Sequence, residues 1–455
     1  MGPRAAPGPA GMDHRSLLLF AASVLVSACA VLSALGFRGR PSVIGVDLGT
    51  TFSVVAVSGV DGEIRVVPSD EDDVLTPSTV AFAPGGRVLV GRAARRHPDA
   101  RHVIYDAKRF IGRAYDDAVR RQADAYAFDV RPDRGNNDTK MNETPTQPPP
   151  ACFGIDRALG HAESCVSPET IGSLVVGKLR AAAEAALGHG VRSAVICVPA
   201  GFTRPQIVAT DAAFKLAGLD VARVVEEPVA AACAYGLHKR TDVRHVLVFD
   251  FGGGTLDVSV LYIQDESVEV VATAGDNDLG GTDFDRCLAD EFSRRVAAAE
   301  SRADPPQDLV ASCPLPSAEK HQRDDDPPVV CAPHALLRLA EAVKVELSDA
   351  ESATRTCLAG PSCAELRPVE LTISRRDFET SLCGHLFDKA LRVVREAVEE
   401  ARIQIDEIDE VVLVGGTSRI PKVRAILKAE LNISKLNTEI DPDVTVAVGA
   451  ASILD

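Results

Sequence analysis

Residues 43–57 read VIGVDLGTTFSVVAV, and residues 246–260 read VLVFDFGGGTLDVSV. Each is an apolar, β-rich run that ends in an aspartate (Asp47, Asp250), turns through glycine and threonine, and returns as a second apolar run. A single hairpin of this kind is most simply a tight turn, where glycine accepts the positive φ that other residues avoid. Two copies far apart in one chain, each with its aspartate at the strand end, predict a duplicated α/β architecture. Two related lobes would then face each other across a cleft.

The surrounding chain fits that reading. Apolar runs rich in β-branched residues fall at 43–46, 54–57, 191–198, 246–249, 258–263, 268–272 and 411–414. Helical periodicity falls at 167–187, 205–217, 228–237, 283–299, 335–347 and 375–401. Strand and helix signals alternate, the signature of an α/β fold. The expected division is a leader at 1–40, a first lobe at 41–240 and a second at 241–455, ending in a helix that returns to the first. Segments 131–166 and 304–333, with their Pro, Asn and Asp clusters, read as loop insertions.

Composition excludes several function classes. The 455-residue chain carries a formal charge of −16, which argues against holding a nucleic-acid backbone. It has no Trp and only 5 Tyr, so the aromatic platforms of a sugar-binding cleft are missing. The 11 cysteines are odd in number and contain no CxxC pair, which predicts neither a disulfide framework nor structural zinc. Cys197 and Cys233 sit in apolar or Ala-rich runs and read as small buried hydrophobes. Cys152 and Cys165 flank a loop and could pair in an oxidising compartment.

The leader predicts such a compartment. Residues 16–37 (SLLLFAASVLVSACAVLSALGF) follow Arg4, His14 and Arg15, the layout of a secretory signal or, uncut, of a membrane anchor. Sequons at Asn137, Asn142 and Asn432 agree with a glycoprotein of the secretory pathway. No KDEL-type signal ends the chain.

The two hairpins carry the chemistry. Glycines let backbone N–H groups approach a phosphate with no Cβ in the way, and Thr50, Thr51 and Thr255 add hydroxyls. Asp47 and Asp250 are placed to hold a hydrated Mg²⁺, with Asp257 following in the second hairpin. A third glycine turn, Gly415-Gly416-Thr417-Ser418-Arg419-Ile420-Pro421, follows a strand and opens a helix, where an adenosine or phosphate can lie against backbone. Gly280-Gly281-Thr282-Asp283 has the same form. The stretch Gly172–Lys178 nearly fits a P-loop, but Leu179 replaces the required Ser/Thr and the stretch lies inside an amphipathic helix. Lys178 is therefore expected to be a solvated helix residue.

Taken with Tyr105-Asp106-Ala107-Lys108-Arg109-Phe110-Ile111-Gly112 and Glu226-Glu227-Pro228, these motifs resemble the ATPase core of the seventy-kilodalton heat-shock chaperone family, in order from about Val43 to Leu454. The resemblance implies an actin-like fold closing over Mg-ATP or Mg-ADP, with potassium as a further candidate ion. Asp47 and Asp250 would hold the Mg²⁺ through water, with Glu227 and Asp257 completing the shell. Thr50, Thr51, Phe52, Gly252, Gly253, Gly254 and Thr255 would surround the phosphates, and Lys108 would orient the attacking water. Glu341, Lys344 and Ser348 would reach ribose and adenine. Gly280, Gly281, Gly415, Gly416, Arg419 and Asp443 would close the nucleotide site.

No peptide-binding domain is expected after the core, which with the leader is similar to a truncated microsomal member of the family. The expected address is the lumen of the endoplasmic reticulum. The protein is expected to be a monomer whose partners are proteins such as nucleotide-exchange factors, with a membrane only if the leader is uncut. The sequence also departs from the family. Val345 stands where an Arg usually stacks on adenine, Glu226 replaces an Asn, Gly201 a Tyr, and Ile207 an Arg. Two hypotheses follow: a slow ATPase, or a nucleotide-regulated scaffold that does not hydrolyse. Sugar kinases share the duplicated fold but not these motifs.

Overall fold

The computed structural model describes residues 14–34, 43–59, 62–133, 148–162, 164–300, 329–360 and 366–453. Sequons Asn137 and Asn142, and most of the expected loop at 304–333, lie outside these residues. The apolar leader forms a helix, α1 (His14–Ala34), in a unit separate from Val43–Asp455. Among the described residues no helix is long and apolar enough to cross a membrane, but several side chains of α1 lie outside them.

The quoted stretches are hairpins. Strands β1 (Val43–Leu48) and β2 (Phe52–Ser58) are antiparallel, with Asp47 opposite Val54. On the other side of β1 runs β3 (Ser193–Val198), parallel, and beyond it β4 (Asp220–Glu226). In the second sheet, β5 (His245–Phe251) and β6 (Leu256–Gln264) are antiparallel with Asp250 opposite Asp257, and β7 (Ser267–Asp276) continues the meander. Strand β8 (Glu410–Val414) lies parallel beside β5. The plan recurs: a hairpin, with a parallel strand against the first member. Ile44, Val46, Val246 and Leu247 are wholly buried, because these sheets are covered on both faces. This is the mixed α/β arrangement with a duplicated hairpin that the sequence predicts, and it agrees with the actin-like ATPase fold that the resemblance implies.

Helix ends follow local chemistry. Helix α2 (Pro168–Leu187) starts where the Ser167 hydroxyl accepts from the Thr170 amide, and stops at Gly188 in the left-handed region. Lys178 lies within α2, but it is not a solvated residue: its Nζ donates to the buried Asp70 carboxylate at 2.5 Å. The charge is turned inward because α2 packs against the sheet beside the Asp70 loop. Helices α4 (Glu227–Ala234) and α9 (Thr445–Ser452) cross so closely that a Cβ on Gly449 would collide with the Ala230 carbonyl. Helix α9 also lies against β1 and β2.

Three expectations need correction. The segment 131–166 is not all loop: Val130–Pro132, Ala151–Gly154 and Cys165–Val166 form a three-stranded sheet. The pattern at 375–401 is not one helix. A short turn, Arg375–Asp377, passes into a π-helical turn, Phe378–Leu382, and α7 (Gly384–Ala401) starts anew. The extra residue of the π turn lets Phe378 and Phe387 both reach Phe284, with ring centroids 5.8 and 4.9 Å away. The cysteines do build a framework. Cys152–Cys165, Cys287–Cys383 and Cys331–Cys357 are disulfides with Cα separations of 5.8, 6.1 and 5.2 Å. Cys197 is buried and reduced, whereas Cys233 is only half-buried.

Candidate nucleotide site

Four carboxylates converge on one ammonium where the hairpins meet. Asp47 comes from the end of β1, Asp250 from the end of β5, Asp257 from β6, and Glu227 from the first turn of α4. Lys108 comes from the short 3₁₀ turn Ala107–Arg109 and donates to Glu227 Oε1 at 2.6 Å, both side chains being about nine-tenths buried. Burial lowers the Lys108 pKa, but Glu227, Asp47 and Asp250 outweigh it and hold the ammonium charged. Burial and the neighbouring Glu227 push Asp47 up to about 7, against the pull of Lys108. Burial and Glu227 push Asp257 up to about 6, and burial with Glu227 raises Asp250 well above the carboxylate range. The negative charge is not balanced by protein, and a divalent cation fits this donor set. A cavity of about 10 Å³, room for one water, touches Glu227, Asp250 and Asp257.

The second hairpin's carbonyls are all engaged by protein donors. Gly252 O accepts from Gly281 N at 3.1 Å and from Thr417 Oγ1 at 2.8 Å. Gly253 O accepts from Thr282 N at 2.8 Å, and Gly254 O from Arg109 Nη2 at 2.8 Å. In a trans peptide the C=O and the next N–H point in opposite directions, and no peptide here is cis. The N–H groups of Gly253, Gly254 and Thr255 therefore face away from these partners, as a phosphate cradle requires. Gly253 packs closely on the first hairpin: a Cβ there would stand 2.6 Å from Thr51 Oγ1, so any larger residue would force Thr51 to move.

The Gly280-Gly281 turn thus serves as a brace for that hairpin, and so does Thr417 of the third turn. Gly415 takes φ 77°, and a Cβ on Gly416 would meet Asp443 Oδ1 at 3.0 Å. Arg419 is engaged by Asp441 and, at 2.8 Å, by Asp443, whose carboxyl burial raises. From α6 (Pro333–Glu346), Lys344 Nζ donates to Gly281 O at 3.1 Å and pairs with the buried Asp285 at 2.8 Å. Glu341 pairs with Arg95 at 3.3 Å, and that guanidinium also lies 5.8 Å over the Phe52 ring. Ser348 is half-buried in the turn after α6 and Thr50 half-buried in the first hairpin turn. Apart from Thr50 and Ser348, the predicted residues are linked by contacts around the two hairpins.

Sequence reading passed over Arg109, Asp285 and Arg95 as site groups. Asp285, in α5 (Gly281–Glu300), follows the Gly280-Gly281 turn closely enough to have been found by its partner Lys344. Arg95 carried no such signal. Of the departures, Val345 is 60% exposed at the outer face of α6, and a Cβ on Gly201 would meet nothing within 4 Å. Phe202 beside it takes the Lys108 ammonium at 6.0 Å over its ring. A sequence model of the family described as Hsp70 protein matches residues 43–454.

Proposed function

The chain belongs to the Hsp70 family, whose members are ATP-binding, chaperone-type ATPases, and on that premise we propose that it is a slow, Mg²⁺-dependent ATPase of the secretory pathway lumen. The observation that carries the catalytic part is the buried Lys108–Glu227 pair facing Asp47 and Asp250. Bound Mg²⁺ supplies positive charge that offsets the charge developing on the phosphate oxygens. Asp47 and Asp250 would hold the ion through water, and the N–H groups of Gly253, Gly254 and Thr255 would bind phosphate oxygens. Glu227 fixes Lys108, and Lys108 orients the water that attacks the γ-phosphate. Glu341, Lys344 and Ser348 line the adenosine side, with Gly415, Gly416 and Arg419 opposite. In this reading two lobes, 41–240 and 241–455, close over the site.

Support for the address comes from three disulfides, the apolar leader and the exposed sequon at Asn432. Partners in this reading are proteins, including an exchange factor that releases ADP. The exposed Val345 favours a second reading: without a side chain to stack on adenine, nucleotide regulates a scaffold that does not turn over.

The test is single-turnover hydrolysis by the full chain, with and without K⁺, beside Asp47→Asn and Lys108→Ala. The expected losses are at least about 100-fold in each variant. ATP-dependent thermal stabilisation with background turnover in the wild type would overturn the ATPase in favour of the scaffold.

A further inference from the structure

We infer that Arg109 is a positioning residue that aims the Gly254–Thr255 peptide at the phosphate site. The inference rests on the proposed function for its consequence, but its geometry stands alone. Arg109 follows Lys108 in one 3₁₀ turn, and the two side chains part. Lys108 turns to Glu227, while Arg109 crosses to the second hairpin, donating from Nη2 to Gly254 O at 2.8 Å and from Nη1 to Asn277 O at 2.7 Å. The side chain is only 14% exposed.

A buried guanidinium normally seeks a carboxylate. Here Asp106 is that carboxylate, its Oδ2 3.5 Å from Nε and too far to be hydrogen-bonded, while both terminal nitrogens are given to neutral carbonyls. That arrangement is held from behind. Asp106 accepts from the Tyr126 hydroxyl at 3.1 Å and takes φ 56°, a left-handed backbone uncommon outside glycine. The Arg109 carbonyl accepts from Arg113 Nη1 at 3.0 Å. The guanidinium is thus fixed at its root, its flank and its tip.

The consequence lies in one peptide plane. Gly252 O and Gly253 O are held by residues of the second half of the chain, close to the hairpin itself. Gly254 O is held by Arg109, from the segment that also carries Lys108. Holding that oxygen sets the opposite direction of the Thr255 N–H. One turn therefore places both the ammonium that orients the water and the amide that receives the phosphate, so the two stay in register.

The test uses the full chain carrying Arg109→Ala or Arg109→Lys. Lysine keeps the charge, but a single ammonium lacks the fork that spans both carbonyls. Amide hydrogen exchange should quicken about tenfold in 252–257 and 276–280 in both variants, with 43–58 unchanged. The turnover rate constant should fall about 10- to 100-fold while the KM for ATP moves less than about threefold. Thermal unfolding monitors whether either variant is folded; the lysine variant covers the case in which alanine is not. Unchanged exchange at 252–257 in a folded variant would overturn the inference. So would a loss carried wholly by KM. A wild type without turnover would sink the proposed function instead, and exchange alone would then decide the role of Arg109.

Discussion

Asp47 and Asp257 show why this site wants a cation. Their carboxyls are raised from the ordinary range to about 7 and about 6, chiefly by burial and then by carboxylate neighbours, and one ammonium does not compensate. A carboxyl with a raised folded-state pKa favours folding in its protonated form. Its contribution is complete below about pH 4, the unfolded value, and is lost as pH rises through 6 and 7. The nucleotide-free protein should therefore lose stability between about pH 4 and pH 7, in a thermal-unfolding series at constant ionic strength. Binding a divalent cation needs these groups ionised, so Mg²⁺ affinity should move the other way. It should rise up to about tenfold per pH unit between pH 6 and 7, read by calorimetry of Mg-ADP binding. A flat affinity across that range would mean that neither carboxyl releases its proton to the metal.

At the scale of elements, the hairpins were legible because everything that defines them is local: β-branched runs, a strand-end aspartate and glycines in the turn. The same holds for the start of α2, set by Ser167 and Pro168, and for most of the other helices. What was not legible depends on residues far apart in the chain. Arg109 reads as a charged residue beside Lys108 until the fold brings Gly254 to its tip. Cys152–Cys165, 13 residues apart, was open to a sequence reading, but Cys331–Cys357 and above all Cys287–Cys383, 96 residues apart, were hidden for the same reason. That bridge ties α5, whose first residues brace the phosphate hairpin, to the start of α7. On chain-entropy grounds, opening a loop of this length costs about 4–5 kcal/mol, against about 3.5 kcal/mol for Cys331–Cys357 at 26 residues. The Cys287→Ala/Cys383→Ala double variant should lower the unfolding free energy by several kcal/mol in denaturant titration. It should do so more than the Cys331→Ala/Cys357→Ala double variant. The reverse order would show that local packing, not chain constraint, sets their worth.

For the whole molecule, closure over nucleotide, on the proposed reading, would depend on contacts that run from the first half of the chain to the second, and these differ in kind. Arg109 is buried and bridges two carbonyls, whereas Arg95 and Glu341 are 46% and 43% exposed at 3.3 Å. An exposed ion pair is worth about 0.2–1 kcal/mol and is screened by salt, so Arg95–Glu341 contributes little to the fold, and on the proposed reading its effect would be on the rate of opening. Its stacking over Phe52 adds to the hold from the first hairpin's side. Arg95→Glu should speed ADP release by up to about fivefold, the rate equivalent of 1 kcal/mol, with the unfolding temperature almost unmoved. The charge swap Arg95→Glu/Glu341→Arg should restore slow release at low salt, and the gap between single and double variants should narrow as salt is raised. If the swap stays as fast as the single variant, the contact that matters is the one between Arg95 and the Phe52 ring. Phe52→Leu would then speed release in the wild-type background.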